Sequence, residues 1–417
     1  MTFLSEYDAI AADQPQLRIA HIVKHLRGDW RGMYEDLRAK RAVFETPVFT
    51  MVTRATDVLD VLSQPRLFSV RANSVSMDPS VGPFMLARDE TAINWHEKGL
   101  MQAVLRWDDI PKVRALAGDV TAAALRGEAG EADLVPAVGR RVPLKIVQDY
   151  FGFAAPDEKV LAWSFATQHA MFRNLTNDPE VIKRCVEAGR EMRAWLWPFL
   201  AEKWAAAPLD DSDVVSRIIN LSRTPAAAFD PERVVSNVCG LLVGTIETMS
   251  QAIVQVVDQF LADPTRLAQA REAAQAENST HFDAIVFEAL RFNPITTIQF
   301  RVAEADREIG TGTPYAHSVK AGTLIAACTG SAMFDPDLMP SPGDFRTDRP
   351  ASSYLHLGFG HHVCLGKHLG LVAIPEAVRQ AVLKPDLRRK AGAGGHIDFA
   401  GGPFPEHFQV EWGGASC

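Results

Sequence analysis

The stretch Leu357-Gly358-Phe359-Gly360-His361-His362-Val363-Cys364-Leu365-Gly366 constrains this chain more than any other. Three glycines, two histidines and one cysteine fall together, and a helical pattern follows from Lys367 to about Leu383. Glycine permits sharp turns and close approach of backbone N–H groups to a ligand. A cysteine just ahead of a helix N-terminus lies at the positive end of the helix dipole, which favours thiolate over thiol. Such a thiolate is a soft metal ligand, and one axial thiolate is how a monooxygenase haem is held. Two other readings stand beside this one. A lone cysteine is most often a small buried hydrophobe. His362, Cys364 and His368 also offer zinc ligands, but a structural zinc site wants four, and the nearest other cysteine is Cys328.

Composition narrows the setting. A net charge of −8 disfavours nucleic acid as the main partner. Cys185, Cys239, Cys328, Cys364 and Cys417 are odd in number and scattered, the pattern of a reduced intracellular protein. The segment Met1–Asp8 has neither a basic region nor an apolar one behind it, so no secretory signal is expected. No run of eighteen apolar residues occurs, so no membrane span is expected and the predicted location is the cytoplasm. The chain has 417 residues, 47 % of them hydrophobic, which suffices for a large core, and no linker cuts it. One domain over 1–417 is expected.

Periodicity predicts a mainly α chain with a minor β-rich region. Helices are predicted at 16–41, 55–63, 95–106, 110–126, 139–152, 157–173, 179–205, 211–221, 231–262, 264–276 and 280–292. The 231–262 helix, opened by Asp230-Pro231-Glu232, is predicted as the longest unbroken one. Two short strands flank Pro47 within 42–52, and Gly127–Gly130 marks a break. Residues 69–91 read as a long irregular loop, the kind of segment that can form a ligand lid. After Pro294 come short strands at 299–302, 308–309, 318–319 and 323–327, an irregular run over 335–356, and a strand pair over 395–413.

Three further groups could carry chemistry. Leu241, Gly244, Thr245 and Thr248 share one face of the long helix, and small residues there would let a flat ligand approach its backbone. Glu247 and Thr248 pair a carboxylate with a hydroxyl in an apolar run, where burial costs several kcal/mol unless the charge is paired. Glu288 and Arg291 lie three apart on one helix face, close enough to pair, and the apolar run before them argues for burial. Arg349 is a plausible third member of that set.

In this order the segments resemble the cytochrome P450 family of haem-thiolate monooxygenases, over roughly residues 40 to 415. Gly358, Gly360, His362, Cys364 and Gly366 match the family pattern Phe-Gly-x-Gly-x-His-x-Cys-x-Gly, with Leu357 in place of the first Phe. The resemblance implies a single-domain cytochrome P450 fold and haem b, with Cys364 as the axial metal ligand. It implies His362 and Arg301 as partners of the haem propionates, and Glu288, Arg291 and Arg349 as a buried ion triad. The long helix resembles the family's oxygen-activating one, Gly244 and Thr245 replacing its Ala and Gly. Glu247 and Thr248 match its acid–alcohol pair, with Thr245 a possible additional hydroxyl. Where the family has His-x-x-x-Arg, the best register puts His96 on the histidine and Leu100 on the arginine, leaving Lys98 as a substitute cation. Substrate contacts implied are Phe84, Phe172, Ile295, Ile298 and Phe404.

The function so implied is insertion of one atom of O2 into a small or medium hydrophobic organic molecule. No dinucleotide fingerprint or cysteine cluster appears, so electrons are expected from a separate ferredoxin or flavoprotein. Four rivals remain open: a peroxide-driven peroxygenase, a haem-thiolate isomerase, a haem sensor, and a zinc-binding structural protein.

Overall fold

In a computed structural model, residues 2–126, 130–175 and 177–413 are described. The turn predicted at Gly127–Gly130 falls largely outside them, as does Cys417. The backbone gathers into two compact units, each made of three chain segments.

The first unit comprises Met1–Ala72, Leu86–Glu90 and Thr296–Cys364. Its centre is a five-stranded sheet in the order Val43–Glu45, Thr50–Val52, Leu324–Ala327, Gln299–Ala303, Phe68–Ser69. The pairing is antiparallel except where Thr50 lies opposite Ile325, the one parallel contact. Phe3, Leu4, Tyr7, Ile22, Met33 and Phe44 bury one apolar cluster beside this sheet, and Ile298 and Phe300 pack against it. The helix predicted over 16–41 is two helices, Pro15–Arg27 and Trp30–Lys40. Gly28 ends the first, and the Asp29 carboxylate caps the second by accepting from the Gly32 N–H at 3.0 Å. A further short helix, Phe3–Ala9, had no periodic signal long enough to predict it.

The second unit comprises Asn73–Met85, Thr91–Ile295 and Leu365–Cys417. It is built of helices, among them Ile110–Arg126, Pro179–Ala206, Pro231–Val243, Ile246–Leu261, Thr280–Phe292 and Lys367–Val382. A helix at Ser74–Ser80 occupies part of the predicted loop; three serines and Pro79 hid it from the sequence pattern. Its apolar neighbours Met77, Val81, Phe84 and Met85 are buried. The strand pair expected over 395–413 shrinks to an isolated bridge between Asp398 and His407. The strand Gln409–Glu411 instead pairs with Glu131–Asp133 and Arg388–Arg389.

The span Pro231–Leu261 is long and apolar enough to cross a membrane by length and composition alone. Of its most apolar window 83 % is buried inside the protein, so it is a core segment here. The predicted unbroken helix is interrupted at Gly244-Thr245, where one helix stops at Val243 and the next starts at Ile246. Glycine weakens the turn. The Thr245 hydroxyl donates to the Leu241 carbonyl and the Thr248 hydroxyl to the Gly244 carbonyl at 2.7 Å, back-bonding that bends helices.

Candidate active site

The cysteine loop belongs to the first unit. Gly358 and Gly360 take φ of 76° and 67°, in the left-handed region. A Cβ on Gly360 would also lie 2.7 Å from the Leu62 carbonyl, so the loop seats directly on the helix Ala55–Ser63. The Cys364 N–H donates to the Leu357 carbonyl at 2.8 Å, which closes the loop and fixes where the sulfur emerges. Among the described cysteines Cys364 alone is exposed. Burial pushes the Cys239 and Cys328 thiols up to about 12, so those two stay protonated and inert.

Two cation-capable groups accompany it in that unit. Arg301, on the strand Gln299–Ala303, is only 5 % exposed. Its Nη1 donates to the Phe300 carbonyl at 2.8 Å, but its Nη2 is buried with no hydrogen-bond partner. Burial pushes this guanidinium down to about 10, against the attraction of Asp89. His362 places Nε2 at 2.7 Å from Asp89 Oδ1, while Asp89 Oδ2 accepts the Val70 N–H at 2.8 Å. Burial lowers the His362 pKa more than the carboxylate restores it. A buried guanidinium with an unmet N–H calls for an anion. An accessible thiol and such a cation fit an iron porphyrin bearing carboxylates, and they do not fit a four-ligand zinc site. Asp89 escaped sequence reasoning because 273 positions separate it from His362 and its own neighbourhood is an ordinary charged turn.

The second unit contains the interrupted helix. Gly244 is exposed just after the buried run Val234–Val243, and a Cβ there would meet nothing closer than the Gly240 carbonyl at 4.0 Å. The break thus opens onto free space. Because a helix restarts at Ile246, its first N–H groups lack intrahelical partners, and the Gln168 side-chain oxygen accepts the Thr248 N–H at 3.1 Å. Glu247 points the other way and is 1 % exposed. Arg140 holds it, with Nε 3.1 Å from Oε1, and also grips Glu406 at 2.7 and 2.8 Å. Burial raises the Glu247 pKa, with Arg140 opposing, so this carboxyl sits above the ordinary carboxylate range. Arg140, Gln168 and Glu406 carry no motif that the sequence could reveal.

One turn earlier, the Phe84 ring packs on Gly240 and is buried. A Cβ at Gly240 would lie 2.3 to 2.7 Å from that ring. Gly240→Ala should therefore cost about 1–3 kcal/mol by overpacking, read in urea melts, and Phe84→Leu in the same chain should restore most of it. Leu241 is buried. Phe404 is buried with its ring centroid 5.3 Å from Phe165, and Phe172 is 40 % exposed. Ile295, half-buried, offers its carbonyl to Arg173. In the first unit, Ile298 packs on the apolar cluster of the sheet.

His96 is exposed, its ring nitrogen against the Ala227 carbonyl. The turn of the chain buries its neighbour Glu97 instead, held by Arg233 at 2.6 and 2.7 Å and by Asn237 at 2.7 Å. Lys98 is half-buried. Glu288 and Arg291 are both fully buried and joined at 2.6 and 3.0 Å. Arg349 donates to the carbonyls of Pro340, Ser341 and Asp344. Gly366 stands at the N-cap of Lys367–Val382.

Residues 170–378 match the family profile described as Cytochrome P450. The chain is 24 % identical over 383 residues to a steroid C26-monooxygenase of Mycolicibacterium smegmatis, covering 90 % of each protein. It is 26 % identical over 281 residues to the cytochrome P450 monooxygenase PikC of Streptomyces venezuelae, covering 66 % of this chain and 62 % of PikC. The fold superimposes on a mutant of P450 EryK in complex with erythromycin B with a TM-score of 0.78 at 21 % identity, over 93 % of this chain and 96 % of that one. With half its length inside the family profile and an accessible cysteine at the end of its glycine loop, the chain belongs to the cytochrome P450 family and is a haem-thiolate monooxygenase.

Proposed function

We propose that the protein uses haem b to insert one oxygen atom from O2 into a small or medium hydrophobic molecule, with electrons from a separate ferredoxin or flavoprotein. The observation that carries this is Cys364, the one exposed thiol among the described cysteines, at the end of a loop shaped by two left-handed glycines. When bound, the haem would supply oxygen activation and redox change, tuned by a thiolate ligand. Cys364 would hold the iron, and Arg301 and His362 would meet the haem carboxylates, Arg301 having an unmet Nη2–H to offer. Gly358, Gly360 and Gly366 shape the loop around that bond.

Gly244 and Leu241 leave room for a flat ligand and for dioxygen, with Thr245 beside them. Thr248 passes a proton from its hydroxyl, whose bond to the Gly244 carbonyl is easily exchanged for one to water. Glu247, held on Arg140, would reload it through water, burial having raised this carboxyl above the ordinary carboxylate range. Phe84, Phe172, Ile295, Ile298 and Phe404 offer apolar surface and exclude water, which supports a hydrophobic substrate. The buried thiols of Cys185, Cys239 and Cys328, none in a disulfide, support a cytoplasmic setting.

The test is turnover with oxygen and a ferredoxin–reductase pair, beside hydrogen peroxide alone. Product only with the electron donor is expected; equal rates with peroxide alone would make the protein a peroxygenase. Glu247→Gln should lower kcat about a hundredfold at unchanged KM and enlarge the solvent isotope effect, because general acid–base groups contribute about that much.

A further inference from the structure

No step of the proposed reaction uses the first 39 residues. Within them, the helix Phe3–Ala9 carries Glu6, and the helix Pro15–Arg27 carries His21 and His25. Residues four apart in a helix share one face. The two imidazole centroids are 4.6 Å apart, and one ligand-capable atom from each of Glu6, His21 and His25 lies within 4.8 Å of the others.

Packing alone does not account for the arrangement. Phe3 holds both rings, stacked on His21 at 5.1 Å and edge-on to His25 at 5.2 Å. Yet the His25 Nε2 is buried with no hydrogen-bond partner. Its nearest carboxylate oxygen, Glu6 Oε2, is 3.8 Å away, too far for a hydrogen bond. A buried imidazole nitrogen left unmet, facing a carboxylate and a second imidazole, is a donor set in want of an acceptor of lone pairs. We propose that Glu6, His21 and His25 bind one divalent transition-metal ion of the zinc class, joining the first helix of the chain to the second.

Two imidazoles and one carboxylate are a borderline-soft set that suits zinc, with a water at the fourth position. Tetrahedral zinc bonds of about 2.0–2.1 Å put ligand atoms about 3.4 Å apart, so side-chain shifts on the order of an ångström close the site. All three side chains are half-buried, so an ion can enter from solvent and lose only part of its hydration.

The test is equilibrium dialysis of the full-length, haem-loaded protein against micromolar zinc chloride, with zinc and iron counted by mass spectrometry. One zinc per chain is expected. His25→Gln and Glu6→Gln should each weaken binding about tenfold or more, since even the groups behind metal ligands are worth that much. A His21→Phe/His25→Phe double variant, which keeps the aromatic packing, should lose the zinc and keep its iron. Hydrogen exchange should show zinc protecting residues 3–27 of the parent and leaving the double variant unchanged. A parent that takes up no zinc at micromolar concentration overturns the proposal, and so does a double variant that binds as the parent does. Iron content and the carbon-monoxide spectrum report separately on the haem-thiolate reading, so the two ideas fail independently.

Discussion

Cys364→Ala is expected to abolish the strongly red-shifted Soret band of the reduced, carbon-monoxide-bound protein and to cut turnover at least about a thousandfold, some 4 kcal/mol on the barrier. The structure makes this a clean chemical test. The side chain is exposed, so its truncation opens no core cavity, and surface changes of that kind move stability by about 0.5 kcal/mol or less. The loop itself is held by backbone, through the Cys364 N–H on the Leu357 carbonyl and the left-handed turns at Gly358 and Gly360, all of which alanine keeps. The substituted apoprotein should therefore melt like its parent. Cys328→Ala is the matched control. That thiol is buried in the apolar cluster of the first unit, so its loss should cost about 1 kcal/mol of stability and leave the spectrum alone. A Cys364→Ala protein with the parent's band and rate would remove the sulfur from the chemistry altogether.

What the sequence could reveal follows from the range over which each signal acts. The cysteine loop is a local feature. Its glycines, its cysteine and the helix after it are contiguous, so both the turn geometry and the emergence of the sulfur were legible from spacing. The paired burial of Glu288 and Arg291 was legible for the same reason, being three residues apart on one helix with an apolar run before it. The charge partners of the site were not. Asp89 meets His362 across 273 positions, and Arg140 meets Glu247 across 107. Neither carries a pattern until the chain has folded.

The helix break at Gly244-Thr245 lies between these cases. Every residue causing it was in view, but back-bonding by two threonine hydroxyls competes with a strong apolar period that predicts continuity, and only packing decides which wins. At 94–106 a one-residue matter of facing changed the outcome. The register aligned His96 with the family, whereas the chain turns Glu97 inward onto Arg233 and Asn237 and leaves His96 outside.

Glu288→Gln should destabilise the protein by about 3–5 kcal/mol, a large share of the roughly 5–15 kcal/mol that folded domains possess. Both partners have no solvent exposure, and the Arg291 guanidinium donates two bonds to the carboxylate, at 2.6 and 3.0 Å. Glutamine fills the same space but removes the negative charge beside the guanidinium where water cannot reach it. The Phe292 ring, 4.5 Å from the guanidinium carbon, offers only partial compensation. The exposed pair Lys320–Asp306, at 2.8 Å, is the comparison: Asp306→Asn should melt close to the parent, because solvent screens it. Replacing both buried partners, as Glu288→Leu with Arg291→Met, should recover most of the loss, since an apolar pair of similar volume owes no desolvation. Urea melts of the four proteins decide the matter. If Glu288→Gln melts with the parent, the pair is not a desolvated charge pair and the interior of the second unit is wetter than its packing implies. If the double variant melts as early as the single one, the two charges are needed for the local geometry itself, and the helix Thr280–Phe292 owes its position to them.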